Sequence, residues 1–143
     1  MRFVALWFAG ISIAVFLLQQ ILGTDSFVLI KDIMWQEPWR LLTAIFAHSN
    51  AAHLLSNLFG LVLFGLILEG RIGPKRVFWL FIIGGILINI ATIYPRSLGA
   101  SGAIYAIMGA LIILRPFMVI WVNWMPMPMV IAGVLWLGKD YIG

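Results

Sequence analysis

The sequence has no cysteine and little charge: of its 143 residues nine are Lys or Arg and five are Asp or Glu. Without cysteine there are no disulfides, no thiol chemistry and no Cys-ligated zinc, and the redox compartment stays undetermined. With 10% charged residues, 64% hydrophobic ones and a mean hydropathy of +1.10, a domain of this size could not cover itself with a polar surface. Its main solvent is therefore lipid. The basic residues are dispersed among short connecting segments and form no stripe, so the net charge of +4 does not imply nucleic acid. There is no repeat, low-complexity tract or linker, which argues for one domain over 1–143. The stretch 41–68 holds both histidines, His48 and His53, and no carboxylate. Five residues apart on a helix they would diverge by about 140°, so no metal site is expected.

What is present is a set of uncharged runs, at 3–24, 41–68, 77–95, 97–114 and 116–138. Each is near the ~20 residues that a spanning helix needs. They are continuously apolar rather than alternating, which excludes an amphipathic barrel and leaves helices that satisfy their own backbone groups in lipid. The expectation is an all-α polytopic transmembrane bundle with spans at about 3–22, 48–68, 77–94, 101–114 and 117–137. The first run, after Met1-Arg2, exceeds a typical signal-peptide core and has no Ala-x-Ala site, so it reads as a retained helix. With the N-terminus cytoplasmic, Arg2, Arg71, Lys75, Arg76 and Arg115 lie inside, against Lys31, Arg40, Arg96 and Lys139 outside. The compact Arg71–Arg76 cluster is the better anchor of that orientation.

Several polar residues interrupt the apolar runs. The loop from Gly23 to about Ala47 mixes charges with apolar side chains and suits the interface, where Trp39-Arg40 reads as an aromatic and cationic belt. In the second run Ser49, His53 and Asn57 recur every four residues and share one helical face, directed into the bundle. Interhelical hydrogen bonding, worth ~1 kcal/mol per contact, would explain them without chemistry. Gly84-Gly85 and Asn89 read as close packing and one satisfied amide. In the fourth run Gly102, Ala106 and Ala110 make a small-residue ridge, with Ser101 and Tyr105 on an adjoining strip. Pro126 and Pro128 make the fifth run kinked or loose.

Ser101 stands where a helix should begin, so first-turn N–H groups without partners converge near it and could hold a developing negative oxygen. His53 and Asn57 could add donors to the same oxygen if the second and fourth helices pack together. These residues resemble the rhomboid intramembrane serine proteases. The resemblance rests on Trp39-Arg40, His48-x4-His53-x3-Asn57, Glu69-x-Arg71 and Gly99-Ala100-Ser101-Gly102-x2-Tyr105-x3-Gly109, in the family's order and spacing over about 39–109. It implies that Ser101 is the nucleophile. It also implies that His53 and Asn57 line the oxyanion hole with His48 beside them, that Gly99 gives room for backbone approach, and that Tyr105 packs on the base's ring. Trp39-Arg40 would brace the first loop, Glu69 and Arg71 would order the cytoplasmic turn, and Gly102 and Gly109 would serve packing.

The family's general base is a histidine on a sixth helix, in an Ala-His-x2-Gly setting, and this chain has no such segment. The expectation is therefore five spans of six, a domain incomplete at its C-terminus, and a polypeptide close to inert, since a serine hydroxyl without a base is a poor nucleophile. His53 as base would vacate the oxyanion site. The resemblance implies no cofactor, membrane-protein substrates whose transmembrane segments are cut through an acyl-enzyme, and the bilayer as surroundings. The organism and compartment expected are a prokaryote and its plasma membrane, and oligomeric state is left open. The competing readings are a rhomboid-like pseudoprotease that binds membrane helices without cutting them, and a small transporter or channel subunit.

Overall fold

A computed structural model describes residues 2–142, with side chains to residue 138. The side chain of Lys139, counted above among the outer cations, is outside that set. Among the described residues six α-helices carry the fold: α1 Val4–Leu22, α2 Arg40–Phe46, α3 Ala51–Ile72, α4 Pro74–Ala91, α5 Ser101–Leu114 and α6 Met129–Ile142. Two short antiparallel pairs accompany them, β1 Leu29–Ile30 with β2 Arg96–Ser97 and β3 Val119–Val122 with β4 Met125–Pro128. Among the described residues α1, α3 and α4 are long and apolar enough to cross a membrane. Only 33%, 39% and 22% of their most apolar windows are buried, so most of that apolar surface faces outward, as a helix in lipid requires.

Local sequence explains where these helices stop and start. α1 ends at Gly23, whose φ of 86° only glycine adopts readily and whose N–H reaches the Gln19 carbonyl at 2.9 Å. α3 opens on Asn50, whose side-chain oxygen accepts the His53 N–H at 2.8 Å, and closes at Gly73. Pro74 then opens α4, where its missing N–H costs nothing. The α3 end also caps the first helix: the Glu69 carboxylate accepts the Phe3 N–H at 2.5 Å and the Ala5 N–H at 3.5 Å.

The chain divides into two compact units, Met1–Ile107 and Met108–Gly143. In the first, α1 packs on α3, where a Cβ on Gly65 would stand 2.7 Å from that of Ala5. Phe8 stacks on Phe81 at 4.2 Å and Phe46 tilts against both, joining α1, α2 and α4. Gly84 and Gly85 of α4 lie against Ala106 and Ala103 of α5, and Gly102 of α5 lies against Ile88 of α4. Small residues thus let the backbones approach closely where no water-driven force helps. The Asn89 side chain donates to the Leu41 carbonyl at 2.9 Å, the satisfied amide expected there.

The second run is not one helix from 48. Its first part forms α2, a bend follows at 47–50, and α3 begins only at Ala51 because Asn50 caps it. Ser49 and His48 therefore precede the helix, and the 140° divergence expected of His48 and His53 does not occur. The fifth run also differs. In the second unit residues 119–128 form a hairpin whose two turn residues, Asn123 (φ 49°) and Trp124 (φ 67°), are both left-handed, as its tight turn demands. In the alternation set by the closing pair Val122–Met125, Pro126 and Pro128 fall where no ladder N–H is needed. The helix after it, α6, starts at Met129.

Candidate active site

The first loop is fastened to the segment that leads into α5. Leu29 and Ile30 pair with Ser97 and Arg96, and the Lys31 N–H reaches the Pro95 carbonyl at 2.9 Å. The Lys31 ammonium donates to the Ile90 carbonyl, and Arg96 forms an ion pair with Asp25. Arg40, at the start of α2, donates to the carbonyls of Asp25 at 2.6 Å and Val28 at 2.8 Å and pairs with Glu37. A single planar fork thereby closes the loop on itself. Trp39 beside it is largely exposed.

Below this loop the backbone makes a tight passage. The Gly99 N–H donates to the Ala44 carbonyl at 2.8 Å, and Gly99 has φ 113°. A Cβ there would stand 2.8 Å from Cε1 and 2.9 Å from Nε2 of His53, and 3.4 Å from Nδ2 of Asn57. Both the dihedral and the space exclude a larger residue. His53, Asn57 and Gly99 are therefore one cluster, and two residues after Gly99 comes Ser101, half-buried at the first position of α5.

The donors in this cluster can be assigned. The Ser49 N–H donates to Nδ1 of His53 at 3.3 Å, and the Ser49 hydroxyl lies 3.1 Å from the same nitrogen. Nδ1 is then an acceptor, so in the neutral ring the proton sits on Nε2, on the side of Gly99. Asn57 is 4% exposed and its Nδ2 has no hydrogen-bond partner. A buried amide donor without a partner is costly and calls for an explanation. His48, 1% exposed, has the reverse pattern: Nδ1 faces the Phe46 carbonyl at 3.1 Å and must donate to it, leaving Nε2 bare and without a partner. Burial pushes the His48 imidazole down to about 4 and the adjoining His53 pushes the same way, while the bond to Phe46 opposes them.

Of the other residues singled out, Tyr105 lies one turn beyond Ser101 on the same face of α5 and is half-buried. Gly102 makes the α4 contact, whereas Gly109 is half-buried further along α5 in the second unit. Glu69 caps α1, and Arg71 follows in the last turn of α3. The sequence reading missed Gln19. Its side chain, 3% exposed, accepts the His48 N–H at 3.0 Å and donates to the His48 carbonyl at 3.0 Å and to Thr24 Oγ1 at 3.2 Å. The amide pair Gln19-Gln20 inside an apolar run was the available signal.

Comparison with known proteins agrees with this architecture. The Rhomboid domain model matches residues 35–142. RHOMBOID-like protein 6, mitochondrial, of Arabidopsis thaliana is 36% identical over 86 residues, covering 57% of this chain and 28% of that protein. YdcA of Bacillus subtilis (strain 168), provisionally named a rhomboid protease, is 37% identical over 92 residues, 61% of this chain and 44% of that protein. Inactive RHOMBOID-like protein 8 of Arabidopsis thaliana is 31% identical over 80 residues, 53% of this chain and 23% of that protein. The chain thus spans less than half the length of each of these relatives. No solved structure matches it. The mitochondrial name of one relative gives the expected prokaryotic plasma membrane no support, while the apolar helices make the chain an integral membrane protein.

Proposed function

The chain belongs to the rhomboid family, and from that premise we propose that it provides the nucleophile and oxyanion half of an intramembrane serine endopeptidase. The substrates are transmembrane segments of other membrane proteins. Ser101 Oγ attacks the scissile carbonyl carbon, and its proton passes to a base and then to the leaving amine. The oxyanion that forms takes hydrogen bonds from Asn57 Nδ2, from His53 Nε2 and from the first-turn N–H groups of α5. Water then cleaves the acyl-enzyme.

One observation carries this reading: the Asn57 Nδ2 donor is buried, has no partner and faces Gly99 two residues before Ser101. Such a donor is what an oxyanion would occupy. The same geometry supports His53 as a donor rather than a base, because the Ser49 N–H donates to its Nδ1, which favours the proton on Nε2. The reading requires a general base other than His53, and the family resemblance gives that role to a histidine on a further helix. We also take the two compact units as one rhomboid domain, since a single family match runs through both.

The alternative is a pseudoprotease that holds membrane helices without cutting them, a reading that the inactive Arabidopsis relative favours. A serine-directed fluorophosphonate separates the two. The protease reading expects labelling of the full gene product and none of its Ser101→Ala variant. Absence of labelling in the full gene product, with the fold intact, overturns it in favour of the binder.

A further inference from the structure

His48 lies in the bend between α2 and α3, where neither its N–H nor its C=O has a helical partner. Buried backbone groups must find partners elsewhere, and both find the same one. Gln19 of α1 accepts the His48 N–H at 3.0 Å through Oε1 and donates to the His48 carbonyl at 3.0 Å through Nε2. The second Nε2 hydrogen goes to Thr24 Oγ1 at 3.2 Å, so this buried amide has both donors and its oxygen engaged.

The peptide unit between His48 and Ser49 is rigid and planar, with C=O and N–H on opposite edges. Its carbonyl is held by Gln19, and its N–H, the Ser49 N–H, donates to His53 Nδ1 at 3.3 Å. One plane therefore joins the α1 amide to the imidazole that faces Gly99. Fixing the carbonyl fixes the direction of the N–H, and that N–H, which can only donate, favours the proton on Nε2 of His53, whereas the Ser49 hydroxyl 3.1 Å from Nδ1 suits either tautomer.

We propose that Gln19 is a positioning residue of the active site: by clamping the His48–Ser49 peptide plane it holds His53 in the Nε2–H tautomer and aims that donor at the segment before Ser101. This rests on the oxyanion role given to His53 above. Without the clamp the peptide is free to rotate, and Nδ1 loses the one neighbour that can only donate and keeps a hydroxyl that can donate or accept; the ring then divides between tautomers, only one of which presents a proton toward Gly99.

The test combines histidine nitrogen NMR with kinetics. The full gene product, labelled with 15N-histidine and assigned by comparison with His53→Ala, is expected to show a single His53 tautomer with Nδ1 unprotonated. Gln19→Met keeps the volume and removes all three bonds. It is expected to show mixed tautomers and a kcat lowered about tenfold at unchanged KM, short of the hundredfold or more that loss of a whole oxyanion donor costs. Gln19→Glu retains the acceptor for the His48 N–H and is expected to fall between the two. A wild-type tautomer pattern in whichever of these variants folds, judged by helicity, overturns the proposal. The NMR readout needs no turnover, so a gene product that never cleaves would remove the protease reading while the tautomer pattern still decides the clamp.

Discussion

His48 and His53 meet edge to face, ring centroids 5.0 Å apart at 66°, and hold their protons on opposite nitrogens. His48 turns its N–H to the Phe46 carbonyl, whereas His53 accepts at the equivalent nitrogen from Ser49. The pair lets one imidazole serve as a neutral wall and the other as a donor. It also ties the stability of the bend to the charge state of His48.

That charge state gives a pH dependence of known sign. A histidine held down to about 4 contributes its full stability above the unfolded value near 6.5, and loses it progressively as pH falls from there toward 4. Thermal midpoints of the detergent-solubilised protein are expected to be flat above neutrality and to decline through this window. His48→Gln, which cannot gain the proton, should decline less. Parallel profiles for the two proteins would show that His48 is not the group responsible.

Gly99→Ala places a methyl within 2.9 Å of the His53 ring at a φ of 113°. The strain and the displaced ring together should cost roughly 1–3 kcal/mol of stability. On the protease reading, fluorophosphonate labelling of Ser101 in the full gene product should fall more than tenfold. Wild-type labelling would mean that the contact between Gly99 and His53 is not needed for the chemistry.

Asn57→Ala deletes a donor that has no partner in the folded protein. The cleavage rate should drop on the order of a hundred- to a thousandfold, as for loss of a single oxyanion donor. The thermal midpoint should change little, because no hydrogen bond is broken and a buried unsatisfied group is removed. A large loss of stability with a proportionate loss of rate would instead make Asn57 a structural amide.

Arg40→Ala releases the carbonyls of Asp25 and Val28 together with Glu37. A loss of about 1–3 kcal/mol is expected, with faster amide exchange over residues 25–38. Arg40→Lys should recover little, since a point ammonium cannot bridge the three acceptors. Full recovery by lysine would reduce the role of Arg40 to its charge.

Much of this fold was legible because charges interrupt the apolar runs: α1 ends at Gly23, where the first loop was expected to open, and the fourth run forms α5 over the expected residues. The turn between α3 and α4 was read too wide, since α3 runs on to Ile72 and Pro74 already opens α4, where the expected bounds were 68 and 77. The small residues of α4 and α5 meet as their spacing suggests. The hairpin at 119–128 was hidden because an unbroken apolar run does not distinguish strand from helix by periodicity. Its prolines read as helix kinks, and their harmless register emerges only from the pairing. In the site, Gly99, His53 and Asn57 share a motif order, but the segment bearing Gly99 is held by a carbonyl of α2, that of Ala44, which the motif does not include. Gln19 escaped notice because its partner is the backbone of a residue far along the chain, which side-chain patterning cannot reveal.

The length of α5 limits its reach. Fourteen residues make a helix about 21 Å long, against a hydrocarbon layer of about 30 Å. A helix of that length reaches only about two thirds of the way through such a layer, which is why α5, unlike α1, α3 and α4, is too short to count as a spanning helix by length. One added turn would lengthen it by about 5.4 Å.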